Sequence, residues 1–403
     1  MKLRTRRVAV IIWILAIGFL FIGNRIATAN PNIMDDAEHY AGITGDVVSA
    51  VVTEIIERDE WRQEIVPGFT ISGTMIIFEA RITSAGRRGE HVTAEHYLDD
   101  LMSVREREVG QGDRILLAYD YGAGQYIFVD YVRINYIAIL GAVLFGLMIL
   151  FGGARGFNSI VALGFTCLAI FMVLVPAILG GRNIYLTAIA VCVYIIVFTL
   201  LIVAGPSKKS LSAILGCLGG VAVAALIMRF MGVILNLTGD VDDSSRFLFA
   251  LPLERPISLG AIVFAGVVIG AVGAIMDVAM SIASSLWEVR RAGENLSFGR
   301  IFRSGLNIGK DILGTMLNTL ILAYIGSSLS LILVIAFYTH ATSLLDIFNR
   351  EMIAVEFLRA IIGSFGIFLA IPLTSAICGC LYSGENRRHE SPRGRRSEPK
   401  EDW

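Results

Sequence analysis

Five stretches of this chain carry no charged side chain for the length of a membrane crossing: residues 136–154, 156–181, 183–207, 211–228 and 256–276. Each is near or above the ~20 helical residues that cover ~30 Å of hydrocarbon. The run 211–228 is expected to continue past Arg229 to about Leu235. Only 17% of all residues are charged and 55% are apolar. Soluble proteins carry about 25% charged residues, so the bulk of this chain belongs in lipid. The net charge of −1 says nothing about nucleic acid, and no basic stretch is interleaved with aromatics, so a nucleic-acid partner is not expected.

The N-terminus opens with the basic MKLRTRR and continues into the uncharged VAVIIWILAIGFLFIG. Residues 1–24 therefore read as a signal anchor or as a signal peptide, and Ala27-Thr28-Ala29 has the small-x-small form of a cleavage site. Both readings place the next segment outside the cytoplasm. Residues 31–134 are polar and strand-like: GDVVSAVVTEII, FTISGTMIIFEARI, GDRILLAYDY and GQYIFVDYVRI are rich in β-formers and bounded by glycine. Tyr121 to Gly124 reads as a hairpin connection, and Ala94 to Arg107 as a short helix. A small β-rich domain is expected there, with His39, His91 and His96 as surface residues.

Loop charges set the orientation. Arg155, Lys208, Lys209, Arg290, Arg291, Arg300 and Arg303 fall in loops that alternate with those holding Arg182, Arg246 and Arg255, the last two beside acids. The positive-inside rule puts the first set in the cytoplasm. Residues 385–403 are basic and polar, and are expected to be a disordered cytoplasmic tail. The run 312–345 is too long for one span and too short for two. We expect one crossing, with 328–352 a re-entrant, kinked or interfacial piece. The fold class is then mainly α: about eight spans, the first at the N-terminus and the others over residues 135–384, with the β-rich domain 31–134 between spans one and two.

Within this apolar region a few polar residues are patterned. At 100° per residue, Asp277, Ser281, Ser284 and Glu288 share one helix face with Gly266, Gly270 and Gly273. On the next span Asp311, Thr315 and Asn318 share a face, with Gly314 beside it. Charged groups in hydrocarbon cost at least ~2.5–3.5 kcal/mol each and usually face a bundle interior or a pathway. The two stripes therefore read as a polar crevice, or as interfacial anchors near a helix boundary. Glu356 and Arg359, three apart, are expected to pair. Cys378 and Cys380 form a C-x-C with no second pair of ligands, so no metal and no cofactor is expected. The chain has no P-loop, no H-E-x-x-H and no G-x-S-x-G. Gly309-Lys310-Asp311 departs from the G-x-G-D of intramembrane aspartyl proteases, and an enzyme is not expected.

The segments GAIMDVAMSIASSLWE, SGLNIGKDILGTMLNTLILAYIGSSL and EFLRAIIGSFGIFLAIPLTSAI resemble the core blocks of the YibE/F-like family of bacterial multi-pass membrane proteins. Trp287 beside Glu288 and the arginine-rich tail depart from the pattern. The resemblance implies a bacterial cell-membrane location and an N-terminal anchor followed by an extracytoplasmic domain and a bundle. It supplies no reaction. Two functions are then open. One is a transporter or permease in which the two aspartates bind a small ion or solute. The other is a scaffold or sensor whose β-domain binds a partner or envelope ligand. The bilayer is the certain partner, and a second membrane subunit is a candidate one.

Overall fold

The computed structural model describes residues 2–29, 47–66, 69–84, 86–99, 107–122, 124–251, 253–292, 297–338 and 343–383. The chain is mainly helical and divides into two compact units, residues 34–150 and residues 1–33 with 151–403. His39, His340 and the expected tail lie outside the described residues.

Among its described residues the first unit holds five strands: β1 (Val48–Val66), β2 (Phe69–Ile82), β3 (His91–Asp99), β4 (Arg114–Asp120) and β5 (Gln125–Tyr131). They close into a barrel in the order β1-β2-β3-β5-β4. The β3–β5 junction is parallel and the others are antiparallel. This is the five-stranded closure that OB-type Greek-key barrels use. Strand alternation puts Ile76, Phe78, Ala80 and Ile82 of β2 inside, against Ala50 and Val52 of β1 and Ile115 and Leu117 of β4. The β4–β5 hairpin is where the glycines put it, with Gly124 at φ +71°. The helix expected from Ala94 is instead strand: β3 pairs with β2 from His91 to Asp99, while residues 100–106 lie outside the described residues. Its alternation turns Ala94, His96 and Leu98 inward. His96 is thus a core residue, its ring 4.0 Å from that of Phe128, and not the surface histidine expected. His91 stays exposed, with Nδ1 3.0 Å from Glu79.

Among the described residues, seven helices are long and apolar enough to cross a membrane. The first is α1 (Lys2–Ala27). The second stretch, Ile134–Leu179, runs 46 residues, about 69 Å at 1.5 Å per residue and too long for one straight passage. It comprises α2 (Ile134–Ala169), a π-helical turn at Ile170–Leu174 and α3 (Val175–Leu179). The separate spans expected at 136–154 and 156–181 therefore meet without a loop, divided only by a kink at Gly153 (φ 55°, ψ −133°). The π turn has a local cause. Pro176 has no N–H, and its ring would strike the carbonyl four residues back.

The remaining spanning helices are α4 (Ile184–Ala204), α5 (Lys208–Ile234), α7 (Leu259–Ala292), α8 (Phe298–Ser327) and α11 (Glu351–Tyr382). Among the described residues, three short helices lie between them: α6 (Asp243–Ala250), α9 (Leu329–Tyr338) and α10 (Leu344–Phe348). Within the stretch 328–352, where one non-spanning piece is expected, the described residues hold the short helices α9 and α10.

The bundle is built on glycine. A Cβ on Gly216 or Gly220 of α5 would strike Thr374 or the Gly366 carbonyl of α11, and one on Gly366 would strike Ile275 of α7. On α8, Gly305 lies against Ser375 and Gly309 against Ile371, while Gly379 and Gly363 of α11 receive Phe298 and Leu320. Such small residues let backbones approach closely in lipid, where packing supplies most of the attraction. The pairings run in opposite sequence directions along α5 and α11 and along α8 and α11, so both pairs are antiparallel. α11 is the helix that α5, α7 and α8 share.

Candidate functional site

Ile275, Ala279, Ile282, Ala283 and Leu286 of α7 are wholly buried. The stripe predicted from the sequence occupies the opposite face. Asp277, Ser281 and Glu288 are exposed and Ser284 is half-buried. No heavy atom outside the local chain lies within 4 Å of where a Cβ would stand on Gly266 or Gly273. On α8 the arithmetic is the same. Gly305, Gly309 and Leu320 face α11, and Asp311, Thr315 and Asn318, roughly half a turn round, are exposed.

Two contacts fix how the stripes stand to each other. A Cβ on Gly270 would lie 3.3 Å from the Tyr324 hydroxyl, and one on Gly305 would lie 3.0 Å from Leu286. α7 and α8 are therefore antiparallel neighbours. Interpolating between these contacts sets Asp277 level with Thr315 and Asp311 level with Ser281. The two aspartates differ in depth by about one turn, ~6 Å at 1.5 Å per residue. Both stripes look away from the packed faces of their helices. Among the described residues no hydrogen bond or ion pair engages the carboxylates of Asp277, Glu288 or Asp311. The Thr315 hydroxyl donates back to the Ile312 carbonyl at 2.9 Å. The chain thus brings the seven predicted residues onto adjacent helices over overlapping depths, six of them exposed and Ser284 half-buried. Only 6% of the apolar window of α8 is buried, against 50% for α7, so α8 forms an outer flank.

At the other end of α8 a second polar group is satisfied within the chain. Arg359 Nη1 donates to Glu356 Oε1 at 2.7 Å, which is the expected pair, and the Ser328 hydroxyl donates to Glu356 Oε2 at 2.8 Å. Close by in sequence, Glu351 accepts from the Gly239 backbone N–H at 2.5 Å and from the Thr238 hydroxyl at 2.7 Å. Sequence reasoning did not single out Ser328, Glu351 or Thr238. Nothing local ties Glu351 to a loop more than a hundred residues earlier. These contacts hold the α11 N-terminus to the α5–α6 connection and to the end of α8. Cys378 is buried and Cys380 exposed, as two residues apart on a helix must be when one faces the core.

No curated protein and no solved structure matches the chain. A family model, described as YibE/F-like protein, matches residues 140–384, an interval that contains both stripes and all of α11. The match covers more than half of the chain, which belongs to the YibE/F-like family of multi-pass membrane proteins.

Proposed function

We propose that this chain is one wall of a polar pathway that carries a small cation or proton across a bacterial cell membrane. The single supporting observation is the pair of largely exposed stripes that overlap in depth on the neighbouring helices α7 and α8. Two carboxylates, three hydroxyls and an amide facing lipid would be costly, so protein or water must cover them. In this reading a second membrane chain, or a second copy, closes the pathway. Asp277 and Asp311 bind the cation or proton, Ser281, Ser284, Thr315 and Asn318 supply neutral oxygens, and Glu288 stands at the mouth. The charge pattern of the loops supports residues 31–134 outside and the C-terminal tail in the cytoplasm.

The test is ion or proton flux in vesicles from cells expressing Asp277→Asn or Asp311→Asn at normal protein level. Loss of flux in both variants is expected. Wild-type flux in both removes the proposal. A second reading makes the β-domain a sensor for an envelope ligand. It is favoured by a cavity of about 750 Å³ at the end of the barrel, lined by Tyr119, Tyr121, Tyr126, Arg87 and Glu90. Under that reading, deleting residues 31–134 abolishes function while the two aspartate variants retain it.

A further inference from the structure

The end of β5 runs into α2 within three residues, and a trough of about 1080 Å³ lies along that junction. Its two ends differ in chemistry. One holds Arg107, Arg114 and Arg133 around Tyr131, and the other holds Tyr136, Ile137 and Ile139 of α2. Those three α2 residues are 73%, 61% and 62% exposed, and they begin a helix that is apolar enough to enter lipid.

The basic end is organised. The guanidinium carbons of Arg107 and Arg133 lie 5.7 and 5.9 Å from the centre of the Tyr131 ring. The Tyr131 hydroxyl donates to the Arg107 carbonyl at 2.6 Å. Arg107 also meets Asp113 at 3.1 Å, and Arg133 meets Asp130 at 2.6 Å. Two of the three cations are thereby neutralised in place. Arg114 is exposed and, among the described residues, forms no ion pair. Three arginines against two aspartates leave a charge of +1 where the barrel meets the first apolar turns of α2.

We propose that this trough binds the headgroup of an anionic phospholipid in the leaflet next to the barrel. Arg114 takes the phosphate, Arg133 and Tyr131 flank it, and the acyl chains follow Ile137 and Ile139. A cationic rim continuous with an apolar wall matches one molecule whose own ends are anionic and apolar. An aromatic belt alone serves any bilayer, but the surplus positive charge discriminates between headgroups.

The full-length protein, purified in detergent, is given equal amounts of phosphatidylglycerol and phosphatidylcholine, and retained lipid is counted by native mass spectrometry. Wild type is expected to keep the anionic lipid about fivefold over the zwitterionic one, the factor that one arginine near a charged headgroup supplies. Arg114→Gln with Arg133→Gln should erase the preference, and the double lysine variant should keep most of it. Equal retention of the two lipids by wild type overturns the proposal, as does an undiminished preference in the glutamine variant. Inorganic phosphate is titrated as a separate arm. If it displaces the bound lipid at millimolar concentration, the site is one for a soluble anion and the lipid assignment fails.

Discussion

Gly309 and Gly314 are five residues apart on α8 and should answer the same substitution in opposite ways. A Cβ on Gly309 would stand 2.2 Å from Ile371 Cγ2, whereas one on Gly314 meets nothing within 4 Å. Gly309→Val is expected to cost about 2 kcal/mol or more through overpacking, visible as a lower melting midpoint in detergent. Gly314→Val should melt like wild type. If the stripe beside it lines a pathway, that variant should nevertheless lose flux, which separates function from folding. A further residue-scale expectation concerns Asp242, which caps α6 by accepting from the backbone N–H and the hydroxyl of Ser245, both at 2.7 Å. The Ser245 hydroxyl, then its N–H, hold the Asp242 carboxyl below the usual range. A depressed folded-state value means that the stabilisation is complete above the unfolded value, near 3.9, and is lost as pH falls through the folded one. Asp242→Ala should therefore speed amide exchange in residues 243–250 at neutral pH, by about 1 kcal/mol of local stability, and make little difference once the wild-type cap is protonated. Asp277 and Asp311 were legible in the sequence because a helical period shows whatever packs on it. Which way the stripes face depends on glycine contacts with α11, some sixty residues further on, and no local pattern records that.

At the scale of elements, the kink in α2 rests on one residue. Gly153 has φ 55° and ψ −133°, a region that side-chain-bearing residues avoid at a cost of order 1–3 kcal/mol. Gly153→Ala should lower the melting midpoint although open space surrounds the position, and Gly152→Ala, one residue earlier, should not. The sequence placed a break here from Arg155 alone, but not its form. A charged residue suggests a loop, whereas the chain needs only one glycine to change direction. β3 was misread for a related reason. Ala, Glu and Leu in AEHYLDD favour helix as single residues, and the period-two burial of Ala94, His96 and Leu98 emerges only when β2 pairs along the whole strand.

At the scale of the molecule, the β-barrel has its own core, formed by residues of β1 to β5 with Val109. A fragment spanning 44–133 should fold alone, giving a β-type circular dichroism spectrum and one cooperative transition. A largely unfolded fragment would mean that the barrel depends on the rest of the chain. The N-terminal segment gives the complementary case. Composition left anchor and cleaved signal equally open, because both need the same basic and apolar order. In the fold, Ala16 and Leu20 are buried in the bundle, Phe19 stacks on Tyr194 with ring centres 4.4 Å apart, and Arg182 donates to the Ile26 carbonyl at 3.0 Å. Intact mass of the mature protein should accordingly include residues 1–29.

Because α11 is translated after α5, α7 and α8, those three enter the bilayer before the helix that fills their grooves exists. Until it arrives, Gly216, Gly220, Gly305 and Gly309 present bare backbone to lipid, a surface that quality-control proteases and stray helices can grip. Ribosomes halted at residue 350 should leave a product that is inserted yet short-lived, and supplying residues 351–383 as a separate polypeptide should prolong its lifetime.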